Sequence, residues 1–169
     1  MTALAAAYVL LAGGIALALL LLPGRDPADD GPLPASAPAP YSTGPQCRGA
    51  ACEGLDPLRL ICGIDPETLT TYRTATGAHV ELRHSAKCGA AWARTWGTST
   101  GDRLDLTVAG PTHTARVRNA DDAAAYVYTA MAAAGPGSAV RACFRSASAA
   151  GGPECVTARV APARSPSPR

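Results

Sequence analysis

The spacing of apolar residues divides the chain into three regimes. The first is continuous: Ala3 to Leu22 is a run of twenty residues with no charged side chain. At the helical rise per residue it spans about 30 Å, close to the hydrocarbon thickness of a bilayer. It predicts one transmembrane helix over residues 1–22. The second regime has no period. Pro23 to Pro45 holds seven prolines among twenty-three residues, with Ala, Ser and Gly. Such a segment lacks the apolar content to pack, and each proline removes a backbone donor, so residues 23–45 read as an extended, disordered linker. The third regime has a period of two. His79-Val-Glu-Leu-Arg-His-Ser85 puts Val80 and Leu82 on one face, Glu81 and Arg83 on the other. Asp102–Val108, Thr114–Arg118, Ala139–Arg145 and Glu154–Val160 alternate in the same way. Alternation predicts half-buried strands, and Gly-Pro, Gly-Asp and Asn-Ala-Asp-Asp punctuate them. Asp121–Ala134 carries mixed signals. Asn119 or Asp121 can cap a helix, whereas Tyr126-Val-Tyr-Thr129 favours a strand, so a strand preceded by a helical turn is expected. The predicted fold is mainly β: a small antiparallel barrel or sandwich of six to eight strands over residues 46–160. A Ser/Pro-rich tail over 161–169 is expected to be disordered.

Composition limits the core. The chain has one Phe, two Trp and two Met, and is rich in Ala and Gly. Disulfides are expected to compensate, at ~2–4 kcal/mol each. Formal net charge is +2, and within Gln46–Val160 twelve Lys/Arg face ten Asp/Glu. That balance argues against a nucleic-acid partner, which demands a strongly basic face. Lys87 is the single lysine.

The apolar run does not read as a cleaved signal peptide. Met1-Thr2 supplies no basic side chain, and the run exceeds the usual ~7–15-residue apolar region. Pro23-Gly-Arg25 follows it, and the cleavage-like Ala35-Ser-Ala37 lies well past its end. An uncleaved single-span anchor is expected; the alternative is a chain secreted after cleavage. All six cysteines lie downstream of the run. An even cysteine count beyond a membrane reads as a disulfide framework in an oxidising compartment, so the C-terminal domain is expected to be extracytoplasmic.

Spacing selects among the possible pairings. Val140, Ala142 and Phe144 form the apolar face of one strand, and Val156, Ala158 and Val160 that of the next. Cys143 and Cys155 therefore point to the same outer face of a hairpin, as a cross-strand bridge requires. Cys47 and Cys52 can close a small ring, which leaves Cys62 with Cys88. A metal site is disfavoured: Cys47-x4-Cys52 is at the edge of zinc-like spacing, and no second close pair follows. His79 and His84, five apart, fall on opposite faces of a strand. No metal or cofactor is expected.

Several motifs occur in order: Cys47-x4-Cys52, Gly54-Leu-Asp-Pro57, Cys62-Gly-Ile-Asp-Pro-Glu-Thr68, and His79-Val-Glu-Leu-Arg-His-Ser-Ala-Lys-Cys-Gly-Ala-Ala-Trp-Ala-Arg94. Ala142-Cys143 and Cys155 complete them. Together they resemble the pattern of a bacterial family, YjfA-like or domain of unknown function 2690, over about Gln46 to Thr157. His84 departs from the aromatic residue that pattern has before its serine. The resemblance implies an extracytoplasmic protein, secreted or tethered by one span, and supplies no catalytic residues.

Two groups are candidates for binding. Trp92, Arg94 and Trp96 share a face at strand spacing, and two indoles around a guanidinium suit a sugar or a planar anion. Core packing of scarce aromatics is the competing reading. Arg141, Arg145 and Arg159 lie on the outer face of the predicted hairpin and suit an anionic polymer or lipid headgroup. A solvated strand face that resists edge pairing is the alternative. Catalytic signatures are weak. His84 and Ser85 point to opposite faces, no Gly-x-Ser-x-Gly elbow occurs, and Glu81 with Asp102 or Asp105 is a carboxylate pair only if the fold joins them. The sequence thus predicts a non-catalytic module that binds a glycan, an anionic polymer or a protein at the cell envelope. The alternatives are a secreted hydrolase and a purely structural surface domain.

Overall fold

The computed structural model describes residues 44–148 and 150–162. The expected span and most of the expected linker and tail lie outside the described residues. No described helix is long and apolar enough to cross a membrane.

The chain enters through a loop with a 3-10 turn at Gly49–Cys52. Nine strands follow among the described residues: β1 (Glu67–Arg73), β2 (His79–Ser85), β3 (Ala90–Trp96), β4 (Arg103–Thr107), β5 (His113–Arg116), β6 (Val127–Tyr128), β7 (Ala132–Ala133), β8 (Ala139–Arg145) and β9 (Glu154–Arg159). A short helix, α1 (Ala120–Ala124), separates β5 from β6. The strands form two antiparallel sheets. One has the order β1-β2-β3-β6, with β7 also on β3; the other has the order β5-β4-β8-β9.

Alternation explains the shared core. Val80 and Leu82 of β2, Leu104 and Leu106 of β4, and Val140, Ala142 and Phe144 of β8 are all fully buried in one cluster. Each large apolar side chain so enclosed contributes about 1.5–3 kcal/mol. The alanines of β3 have a packing role that volume alone does not reveal. Ala90, Ala91 and Ala93 are wholly inaccessible, and small side chains let neighbouring backbone approach closely. That neighbour is partly the N-terminal loop. Gly49 N–H donates to the Cys88 carbonyl at 2.7 Å, and Gly54 N–H to the Met131 carbonyl at 2.9 Å.

Several expectations are revised. Among the described residues the count is nine strands rather than six to eight, because β6 and β7 are two-residue pieces and β1, Glu-Thr-Leu-Thr-Thr-Tyr-Arg, shows no clean apolar alternation. The sheets do not close into a barrel. At one side β1 and β9 meet through side chains: Tyr72 Oη donates to Glu154 at 2.7 Å, and Ala75 N–H to the same carboxylate at 3.0 Å. At the other side β5 and β6 are separated by the detour through α1. Asn119 caps that helix, its side chain accepting from Asp122 N–H at 2.9 Å. The helical turn and the strand expected after it are both present, the strand shorter than Tyr126–Ala134.

Gly101 turns the chain between β3 and β4 with φ 97°, where a side chain would meet Ala147 at 2.9 Å. Asp102 fixes that turn. Its buried carboxylate accepts from Ser99 N–H at 2.8 Å and Ala147 N–H at 2.9 Å.

Candidate functional site

The gap between β5 and β6 is a cleft of about 740 Å³, lined by Arg103, Arg116 and Arg118, by Tyr126 and Tyr128, and by the carboxylates of Asp56 and Asp122. Both walls follow from register. β3 places Arg94 opposite Glu81 of β2 and Tyr128 of β6, and Trp96 opposite His79. On this outer face Glu81 is almost buried and accepts from Thr68 Oγ1 at 2.8 Å, from Arg83 at 3.2 Å, and from Arg94 Nε. Burial pushes the Glu81 carboxyl up. The bonds from Thr68 and Arg94 and the charges of Arg83 and Arg94 outweigh it, so its net pKa is lowered. Burial likewise opposes the Arg94 charge, but Glu81 and then Tyr128 hold its pKa above the ordinary value.

Fixed by Glu81, the Arg94 guanidinium lies 4.6 Å from the Tyr126 ring centre and 5.7 Å from that of Trp96. Trp96 stacks on His79 at 4.8 Å, and Tyr126 tilts against Trp96 at 5.3 Å. Tyr126 is 48% exposed at the cleft. The predicted Trp92–Arg94–Trp96 group is therefore divided. Trp92 is 2% exposed and belongs to the core, out of reach of a ligand. Arg94 and Trp96 are half-buried and support Tyr126.

The other wall continues onto the outer face of the second sheet. Arg103 of β4 pairs in register with Arg116 of β5 and with Arg145 of β8, a row of three arginines across adjacent strands. Arg141 and Arg159 share this face, which follows from the Cys143–Cys155 register. Among the strand residues of this face the one acid is Asp105, since Glu154 of β9 has the opposite parity. Asp105 accepts from Arg103 Nε at 2.9 Å and Thr114 Oγ1 at 2.6 Å. Burial raises the Asp105 pKa, but those bonds and the charges of Arg103 and Arg145 lower it on balance. Arg118 is held by Asp122 through bonds of 2.8 and 3.1 Å. Among the described residues no carboxylate lies within ion-pair reach of Arg116, Arg141, Arg145 or Arg159. Like charges directly opposite on a sheet are destabilising, so a row in which only Arg103 is paired is retained at a cost of a few tenths to ~1 kcal/mol per pair.

The groups considered for catalysis have structural partners. Glu81 holds two arginines, Asp102 two loops, and Asp105 the side chains of Arg103 and Thr114. His84 Nε2 lies 3.0 Å from the Ala134 carbonyl, while Ser85 Oγ accepts from Cys88 N–H. A second hollow, of about 200 Å³, has a single carboxylate, Glu53. Its two oxygens are taken by His113 Nε2 at 2.6 Å and Ala133 N–H at 2.7 Å.

The disulfides are Cys47–Cys52, Cys62–Cys88 and Cys143–Cys155, the pairs read from spacing. Cys143 and Cys155 are direct cross-strand partners on the arginine-bearing face. Sequence reasoning did not assemble Arg103, Arg116, Tyr126 and Tyr128. The alternation placed Arg103 and Arg116 on polar faces, but the alignment of those faces is a property of strand order.

No curated protein and no solved structure matches this chain. A family model does, over residues 50–143, from the turn before Cys52 through Cys143, and so including both walls of the cleft. That match covers more than half of the chain, which belongs to the family described as protein of unknown function (DUF2690).

Proposed function

We propose that this protein is a non-catalytic binding module, tethered by Ala3–Leu22 on the outer side of a membrane, whose ligand is an anionic polymer of the cell envelope. The observation that carries this reading is the Arg116–Arg103–Arg145 row, in which Asp105 pairs with Arg103 alone, running outward from a cleft that Arg103 and Arg116 line with Tyr126 and Tyr128. Guanidinium groups bind phosphate and carboxylate oxygens in bidentate fashion, and an exposed tyrosine offers a flat surface to a sugar ring. Arg141 and Arg159 extend the track along the same face. The twenty-residue apolar run and the downstream disulfides support the tethered, extracytoplasmic placement.

The test is binding of the full chain in detergent to poly(glycerol phosphate) and to a neutral glycan of similar length. Binding to the phosphate polymer is expected, weakening as salt screens the arginines. Arg116→Ala with Arg145→Ala is expected to lower affinity at least tenfold while the melting temperature does not fall, since both side chains are exposed and each leaves a like-charged pair with Arg103. Tyr126→Ala is expected to weaken binding less. Unchanged affinity in the double variant, or equal binding of the neutral glycan, overturns the proposal.

A further inference from the structure

The Cys47–Cys52 and Cys62–Cys88 bridges form one cluster. Their four sulfurs all lie within 4.8 Å of one another, and Cys47 Sγ is 3.7 Å from Cys62 Sγ, its neighbour in the other bridge. Four thiolates around a zinc ion at ~2.3 Å are separated from each other by ~3.8 Å; the Cys47–Cys62 distance between the bridges is already at that spacing, and the bonded sulfurs within each bridge separate on reduction. Cys52, Cys62 and Cys88 are wholly buried and Cys47 partly so, which gives the closed, dry setting of a structural metal site. The scaffold around them does not depend on the sulfur–sulfur bonds alone. Gln46 N–H donates to the Leu60 carbonyl at 3.0 Å, Gly49 N–H to the Cys88 carbonyl at 2.7 Å, and Cys88 N–H to Ser85 Oγ at 3.2 Å.

We propose that the reduced chain binds one Zn²⁺ through Cys47, Cys52, Cys62 and Cys88, and that oxidation exchanges the ion for the two disulfides. Binding converts four thiols to four thiolates and releases four protons. In the reverse direction two molecules of a disulfide oxidant accept four electrons and, with four protons, become four thiols. Two protein disulfides form and Zn²⁺ leaves. Either state ties the N-terminal loop to the start of β3. The zinc state also occupies four of the six thiols, leaving Cys143 and Cys155 to find each other across their hairpin.

The test uses the full chain in detergent with Cys143→Ser and Cys155→Ser, reduced by a phosphine without oxygen and titrated with Co²⁺. One equivalent is expected, giving the charge-transfer and d–d absorption of a tetrahedral tetrathiolate, displaced by one equivalent of Zn²⁺ with release of protons. The tryptophan near-ultraviolet dichroism is expected to match that of the oxidised chain once metal is bound, whether or not the metal-free reduced chain is folded. Adding Cys52→Ser is expected to weaken binding at least tenfold. Another stoichiometry, the spectrum of octahedral cobalt, no binding, a bound chain without native dichroism, or a Cys52→Ser variant that binds as tightly overturns the proposal.

Discussion

Replacing Glu81 by Gln tests whether one carboxylate organises the outer face of the first sheet. The side chain of Glu81 is 9% exposed, and those of its partners Arg83 and Arg94 are 16% and 23% exposed. Glutamine keeps an oxygen for Thr68 but leaves both guanidinium groups without their anion. Removing one partner of a fully buried ion pair costs about 3–5 kcal/mol, and of a surface pair about 0–1. The burial here is intermediate, and hydrogen bonds to charged groups contribute ~1.5–3 kcal/mol, so a loss of ~2 kcal/mol is expected. For a domain of this size that lowers Tm by ~6–12 °C. The pH dependence follows from the lowered carboxyl pKa. The unfolded chain binds the proton more readily, so this stability is fully present above the ordinary value of 4.5 and is lost as pH falls through the folded value. Urea denaturation of both proteins at neutral pH and at successively lower pH is the assay. The gap between them is expected to be constant at neutral pH and to close in acid. A neutral-pH difference under ~0.5 kcal/mol, the range of an ordinary surface substitution, or a gap that persists in strong acid, refutes the assignment of Glu81 as the charged centre of this network.

Removing the disulfides one at a time by paired Cys→Ser substitution is expected to give a fixed order. Sequence separations of 5, 12 and 26 for Cys47–Cys52, Cys143–Cys155 and Cys62–Cys88 correspond to losses of ~2, ~3 and ~3.5 kcal/mol in the loop-entropy account, read by urea denaturation under oxidising conditions. A larger loss for the smallest ring contradicts that account. Phe144→Ala deletes the single Phe from a site only 1% exposed and is expected to cost ~3–5 kcal/mol, measured in the same way; a loss under ~1 kcal/mol would mean that the two sheets do not share this core.

The particular elements show where sequence reading succeeds. Strands β2, β4, β8 and β9 were legible because each carries its own period-two record, and a one-residue shift would turn its apolar side chains to solvent. The Cys143–Cys155 pairing was legible for the same reason, since parity fixes the face of each thiol. β1 was not, because its threonines and single leucine alternate weakly and its place comes from pairing with β2. Trp92 and Trp96 have the same parity and opposite fates, because burial depends on what lies over each end of β3. The two-sheet architecture and the cleft depend on how strand edges meet, which no single strand records.

The sequence by itself determined the β character, the antiparallel hairpins, the three-bridge framework and a nearly neutral charge balance. Those are local properties: period, parity, spacing and count. Tertiary structure alone decided that the charge is segregated. Five arginines from four strands meet on one face with a single acid among them, although the domain as a whole is almost balanced. It also decided that Cys62 and Cys88, far apart in sequence, join Cys47 and Cys52 in one four-sulfur cluster. Strand order and register bring together residues that the chain keeps apart, and those long-range neighbours set the electrostatics and the sulfur cluster.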